Sequence, residues 1–446
     1  MPAFGAVHNY TVSVSDDLAS VTVTTQLARA TTLHARSGNV STIRELRSCD
    51  GEALNARGQR IDTGTHRCVR YTARLAQLEE RFTPTGVLST TPRAWLWLPM
   101  LRSTDRVELK LTGPGADHTF LPFRRAGEAY EITASPGSGQ AIALFGDFHQ
   151  DTIEVGEARL PVAYVGPASE RDKISTWLTQ SVRNVWGVAG DFPNPHASII
   201  VLDVPGRSGE PVPFGHVIRD AGETVRFFVQ AERPLQEMVD DWTATHEFAH
   251  LLLPYVRDKW ISEGFASYYQ NVLLARQGIY TEQRAWQKLV GAFAQARDTR
   301  WPPSPNGTRN RPFWEVRMLI YWSGAALALM GDVESRATSD NVRSLDSILA
   351  QLNQCCLPGQ RSWSAHQLLT KLDELGGGDI FSTLYNKHAD AAGLPPVERL
   401  YADLGIDVVS GRVRLDDTAP LAHIRRAIMS GEQGEHIGRA GRTEPP

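Results

Sequence analysis

Between Thr245 and Tyr269 the chain reads THEFAHLLLPYVRDKWISEGFASYY, and this stretch constrains the fold more than any other. His246 and His250 stand four residues apart, which on an α-helix places both imidazoles on one face, within reach of a single ion. Glu247 lies beside them. A helix over the region is expected: Pro234 suits a first helical position, Glu237 places negative charge near the start, and Leu235, Met238, Val239, Trp242, Ala249 and Leu253 recur at helical spacing. Pro254 ends it.

Two imidazoles do not complete a catalytic zinc site, which takes three protein ligands and leaves a position open to water. Glu263 is the candidate third ligand. It follows Trp260 in Trp260-Ile261-Ser262-Glu263-Gly264-Phe265-Ala266, near the start of a second helix expected to end before Gly278. The intervening loop is long enough to bring this helix back beside the first, and Gly264 allows close approach of two backbones. The donor set points to one Zn²⁺ per chain, bound by His246, His250 and Glu263, with Glu247 as general base. Ser267, one turn beyond Glu263, is a candidate to orient that ligand.

At this level the chain resembles the gluzincin metallopeptidases, and most closely their glycyl aminopeptidase family. Three segments carry the likeness: HEFAH, WISEGFASYY, and Tyr321-Trp322-Ser323-Gly324 followed by Arg343-Ser344-Leu345-Asp346-Ser347-Ile348-Leu349. It spans roughly residues 235–405. The resemblance implies a thermolysin-like catalytic domain, a peptide substrate, aminopeptidase action, and for Tyr321 the role of a donor to the oxyanion. It also implies an edge strand ahead of the first zinc helix, for which Thr224–Val229 with the loop around Gly215, His216 and Arg219 is the candidate. Asp220 or Glu223 is either a carboxylate for a substrate amine or a solvated charge. The residues alone leave endopeptidase and aminopeptidase action open. They also leave open a hydrolase of a non-peptide bond or a catalytically silent peptide-binding scaffold.

The rest of the chain reads as an α+β multidomain protein: an N-terminal β-sandwich-like domain at 1–166, the thermolysin-like catalytic domain at 167–299, a helical domain at 300–430 and a disordered tail at 431–446. In the first part, Val12 and Val14, Val21 and Val23, the run Val69, Tyr71, Ala73 and Leu75, and the run Ala94, Leu96 and Leu98 alternate as half-buried strands do. A helix is expected from about Ala168, carrying Ile174, Trp177, Leu178, Val182 and Val185. Strands are expected at Ala197–Leu202 and Thr224–Val229, with a polar loop between them. Helices follow at about Glu282–Ala296 and Phe313–Met330, then others with Ser344 and Ser364 as N-caps. Asp407–Leu415, split at Ser410-Gly411, reads as a hairpin.

Composition narrows the partners. The formal net charge is −4 and no basic stripe is evident, so neither nucleic acid nor an anionic membrane surface is expected. No apolar window reaches the ~20 residues of a membrane span, the longest being Leu319–Met330. The start of the sequence lacks the pattern of a signal peptide, which reads as a cytoplasmic protein unless a leader has been removed. Four cysteines occur, none in a C-x-x-C pattern. Cys49 and Cys68 are candidates for a disulfide in an oxidising compartment, and the adjacent Cys355 and Cys356 are expected as thiols or paired elsewhere.

Overall fold

The computed structural model describes residues 5–35, 42–76, 86–137, 140–206, 209–220 and 222–431. The expected tail at 431–446 thus falls, but for Gly431, outside the described residues. The chain is mixed α/β and divides into two compact units, one drawn from Met1–Ile153, Arg159–Ser175 and Pro195–Arg233, the other from Glu154–Ala158, Thr176–Asn194 and Pro234–Pro446. This division does not follow the expected boundaries at 166 and 299. Residues 195–233 fold with the N-terminal strands, and the helices beyond 300 pack with those carrying the HEFAH motif.

In the first unit β1 (Val7–Val14), β2 (Ser20–Gln26), β3 (Ile43–Ser48), β4 (Cys68–Arg74), β5 (Arg106–Thr112), β6 (Arg124–Ala126) and β7 (Ala129–Thr133) form one sheet in the order β6-β7-β5-β1-β2-β4-β3. The alternation works as read. The register pairs Val12 with Val23 and Val14 with Val21, so the valines of both strands enter one core together with Val69, Tyr71 and Ala73. The run at Ala94, Leu96 and Leu98 is a correction. Pro92–Trp95 is a helical turn with Pro at its start, and the buried residues there are Trp95, Leu96 and Trp97. Proline's fixed φ favours that first turn over a strand. The carbonyls of Trp95 and Trp97 accept hydrogen bonds from the buried Tyr71 and Tyr10 hydroxyls, which locks the segment against the sheet.

A second sheet of this unit orders β8 (His149–Val155), β9 (Ala158–Val165), β10 (Ser198–Asp203), β11 (Phe214–Arg219) and β12 (Glu223–Val229) as β8-β9-β10-β12-β11. β10 pairs in parallel on both sides, and a strand so flanked loses its alternation: Ser198 to Leu202 are all buried. The sheet edge is β11, within the stretch read as a loop, whereas the expected edge at 224–229 is the interior β12. Phe214, Val217 and Ile218 favour a strand although Gly215 does not, and antiparallel pairing with β12 sets the register. Neither candidate amine-binding carboxylate is solvated. Asp220 is buried, ion-paired with Arg93 and hydrogen-bonded by the Ala141 N–H, while Glu223 meets Arg219 at 3.0 Å. Cys49 is bonded to Cys68 in this unit. In the other unit Cys355 is bonded to Cys356, against the expectation that these neighbours stay apart.

The second unit is helical. Its elements are α1 (Arg171–Ala189, entering from the first unit), α2 (Leu235–Asp240), α3 (Thr243–Ala249), α4 (Lys259–Arg276), α5 (Glu282–Arg297), α6 (Phe313–Ala337), α7 (Leu345–Cys356), α8 (Ala365–Gly376), α9 (Ile380–His388) and α10 (Ala422–Ser430), with a hairpin of β13 (Ile406–Val409) and β14 (Arg412–Leu415). The single helix expected over 235–253 is in fact two, joined at Asp241 and Trp242. Asp241 is extended and its carboxylate accepts the Thr243 N–H at 2.8 Å, a local bond that competes with helix continuation and starts α3 afresh. Ser344 and Ser364 cap α7 and α8 as expected, each in a reciprocal capping box.

α6 runs past the expected Met330 to Ala337. Contrary to the composition reading, it is long and apolar enough to cross a membrane, yet most of that apolar run, including Ser323 to Leu329, is buried within the helical unit. It crosses α4 at two glycines. A Cβ on Gly264 would lie 2.3 Å from the Gly324 Cα, and one on Gly324 would lie 2.0 Å from the Trp260 carbonyl oxygen. Both obstacles are backbone and cannot swing aside. Gly324→Ala is therefore expected to destabilise the protein by about 3 kcal/mol through overpacking, read as a lowered midpoint in urea unfolding; an unchanged midpoint would show that the crossing is not close in solution.

Candidate metal centre

α3 is buried along its whole length, and three contacts from the α1 side of the unit hold it and the α2 turn before it. Asn184 donates to the Thr245 hydroxyl at 3.1 Å, the Trp177 indole donates to the Met238 carbonyl at 3.0 Å, and Phe192 meets Phe248 edge-on. The helix tightens into a 3₁₀ turn at His250–Leu252, so His246 projects from an α-helical turn and His250 from the turn that ends it. α4 then returns alongside and presents Glu263.

The three candidate ligands converge. His246 Nε2 lies 3.3 Å and His250 Nε2 3.4 Å from the same Glu263 oxygen, and the three ligand atoms all fall within 4.8 Å of one another. Ligands at the usual 2.0–2.1 Å from a tetrahedral zinc are separated by roughly 3.3–3.4 Å, the edge of the tetrahedron. The two imidazole-to-carboxylate separations match that edge and the third pair lies within 4.8 Å, so the donor set fits the ion. Burial is graded: His246 is 2% exposed, His250 11% and Glu263 25%. The site opens on the side of the carboxylate.

Hydrogen bonds behind the rings fix which nitrogen faces inward. His246 Nδ1 is 2.7 Å from the Gln270 Oε1, so it carries the proton and leaves the Nε2 lone pair toward Glu263. His250 Nδ1 is 3.3 Å from the Ser262 hydroxyl. Ser262 and Gln270 are the positioning residues that sequence reasoning missed. Their signal was present, since Gln270 lies two helical turns beyond Glu263 on the same face. Ser267 does not orient Glu263: its hydroxyl has no hydrogen-bond partner among the described residues.

The electrostatics favour a cation. Burial works to raise the Glu263 carboxyl, but the His250 and His246 imidazoles outweigh it and hold the group far below the ordinary carboxylate range. Burial works in turn to lower His246, and is outweighed by Glu263, Glu247 and Gln270, so its affinity for positive charge rises. Glu247 is only 8% exposed. Tyr321, on α6, sets its ring 5.8 Å from that of His246, and burial followed by the negative charges of Glu263 and Glu247 pushes its phenol well above the ordinary tyrosine range. It stays a neutral donor.

The Tyr321-x-x-Gly324 motif has a physical reading here. Gly324 lets α6 touch α4 at the turn that carries Glu263, and Tyr321, three residues earlier, is thereby brought against the ligand cluster. The Ser344-Leu345-Asp346 segment acts further off. Ser344 caps α7, the Leu345 N–H donates to Asp332 on α6 at 2.8 Å, and Asp346 accepts from Tyr269 at 2.8 Å and from Arg276 at 2.8 Å on α4. It braces the helix that holds Glu263.

Comparison with known proteins agrees with this geometry. Residues 243–301 match the model of the M61 glycyl aminopeptidase family, a stretch that takes in both ligand helices and stops before Tyr321. No curated protein matches. Among solved structures, an aminopeptidase N family protein from Idiomarina loihiensis is similar over 90% of this chain and 78% of its own, with a TM-score of 0.60 at 14% identity; likeness at that identity speaks to the fold. The resemblance drawn from HEFAH and WISEGFASYY is thus borne out, and the chain is similar to the gluzincin peptidases, near the M61 glycyl aminopeptidase family.

Proposed function

We propose that the chain is a zinc-dependent peptidase acting as an aminopeptidase. The reading rests on one observation above the others: two imidazole nitrogens and a carboxylate oxygen converge at the spacing of zinc ligands, with Glu247 buried on the same helix. His246, His250 and Glu263 would hold one Zn²⁺, which when bound supplies Lewis acidity and lowers the pKa of a water toward neutrality.

The chain's own residues do the rest. Glu247 accepts the proton of the attacking water and returns it to the leaving amine, an acid–base role that its burial beside His246 suits. Tyr321 donates its phenolic proton in a hydrogen bond to the oxyanion on the former carbonyl carbon. Gln270 and Ser262 keep the imidazoles turned with Nε2 inward.

Elemental analysis of the purified wild type beside Glu263→Ala, with hydrolysis of a mixed peptide library followed in parallel, tests this. We expect one zinc per chain, lost in the variant, and single residues released from N-termini. A zinc-free protein after metal-supplemented purification would overturn the reading. Internal cuts would make it an endopeptidase, and bound zinc without peptide cleavage would redirect it to a non-peptide bond.

A further inference from the structure

A cavity of about 630 Å³ opens in the helical unit directly beside the ligand cluster. Three residues of its wall touch or electrostatically face His246 and Glu263: Trp242, whose ring lies 5.4 Å from that of His246, Gln270, which holds His246 Nδ1, and Tyr321. The volume exceeds that of any two side chains and lies within the range of small-ligand sites. The mechanism assigned to Glu247 and Tyr321 uses only one end of it.

The charge of the wall is one-sided. Arg284 and Lys288 line the cavity from α5 and Arg317 lines it from α6, while no aspartate or glutamate is among the lining residues. None of the three cations forms an ion pair with a described carboxylate. Arg284 and Lys288 instead lie over the Tyr280 ring, at 4.2 Å and 5.8 Å. Arg317 stands one helical turn before Tyr321, and its charge is felt by the phenol. A chain with formal net charge −4 has therefore gathered three unpaired cations around a cavity whose remaining walls, with Trp242, Phe313 and Trp322, are largely apolar. Such a lining selects an anion on an apolar body.

We propose that this cavity binds a carboxylate of the peptide substrate, held by Arg317 with Arg284 and Lys288, so that the enzyme favours peptides bearing a negative charge within a residue or two of the bond at Tyr321. Arg317 and Tyr321 are one turn, about 6 Å, apart along α6, and an extended residue spans about 3.5 Å, which sets that reach. The carboxylate is either an acidic side chain or the free C-terminus of a short peptide. The proposal rests on the peptidase reading for the identity of the ligand, though not for the existence of the pocket.

The test separates the two. Calorimetric binding to a zinc-loaded Glu247→Gln protein, in which turnover is slowed about a thousandfold, is measured for Ala-Ala-Phe against its amide and for Ala-Glu-Phe-amide against Ala-Gln-Phe-amide. We expect about a tenfold gain for one carboxylate-bearing member, the size that a few exposed cations supply, shrinking as salt is raised. A gain in the first pair assigns the free C-terminus, and a gain in the second assigns the side chain. Adding Arg317→Gln, or Arg284→Gln with Lys288→Gln, should abolish the gain while leaving amide binding unchanged. Equal affinities within both pairs, or a gain that persists in both variants, overturn the proposal. Hydrolysis by the wild type is scored separately: a charge-selective pocket without hydrolysis sinks the peptidase reading and keeps the pocket, and hydrolysis without charge selectivity does the reverse.

Discussion

Glu247→Gln is expected to lower kcat for peptide hydrolysis by about a thousandfold, the usual scale for loss of a positioned general base, while the zinc content stays at that of the wild type. The amide fills the same buried space and leaves no uncompensated charge, so His246, His250 and Glu263 keep their places. Only proton transfer is removed. The measurement is steady-state kinetics beside elemental analysis; a variant with zinc and wild-type kcat would dismiss Glu247 as the base. Tyr321→Phe should cost about a hundredfold in kcat with little change in KM, because its hydrogen bond is made to charge that develops only on the way to the tetrahedral species.

Asp346→Ala carries the largest expected effect on stability. Its carboxylate is 5% exposed and meets Arg276 at 2.8 Å, the fully buried Arg336 at 3.5 Å and the Tyr269 hydroxyl at 2.8 Å. Asp332 answers from the other side, accepting from Tyr268 at 2.7 Å and from Arg336 at 3.0 Å. Removing Asp346 leaves two guanidinium groups in the interior short of a counter-charge, a loss of about 3–5 kcal/mol. Denaturant unfolding reads it; a change under 1 kcal/mol would mean that water reaches the arginines.

The same group gives the stability a pH dependence. Burial acts to raise the Asp346 carboxyl, but Arg276 and Arg336 outweigh it and hold it below its ordinary value of 3.8. A carboxyl whose folded pKa lies below its unfolded one stabilises fully above the unfolded value and loses that contribution as pH falls through the folded one. Wild-type stability should thus decline with acidification below about pH 4, and the decline should be shallower in Asp346→Ala.

Some of this was written locally. The helical spacing of His246 and His250, the glutamate on the following helix, the serine caps at Ser344 and Ser364, the hairpin turning at Ser410-Gly411 and the alternation of the first two strands each depend on residues a few positions apart. Side-chain direction and turn chemistry decide such features without help from the rest of the chain. Several of the corrected readings turn on a distant partner, whereas the break at Asp241 is local. The Pro92–Trp95 turn is locked by tyrosines on the sheet, β11 pairs with β12, and β10 lies inside its sheet between two parallel strands, with Ser198 to Leu202 buried.

The site divides along the same line. The sequence by itself determined which donors are available, His246, His250, Glu263 and Glu247, because ligand chemistry is a property of residue type and their spacing is short. Only the tertiary structure decided how those donors are aimed and what faces them. Gln270 and Ser262 turn the imidazoles inward, two glycines let α6 close on α4 so that Tyr321 arrives, and α5 and α6 bring Arg284, Lys288 and Arg317 to one cavity. Each of these needs helices from separate parts of the chain to pack at a particular distance, and that distance is set by the volume of side chains at the crossing.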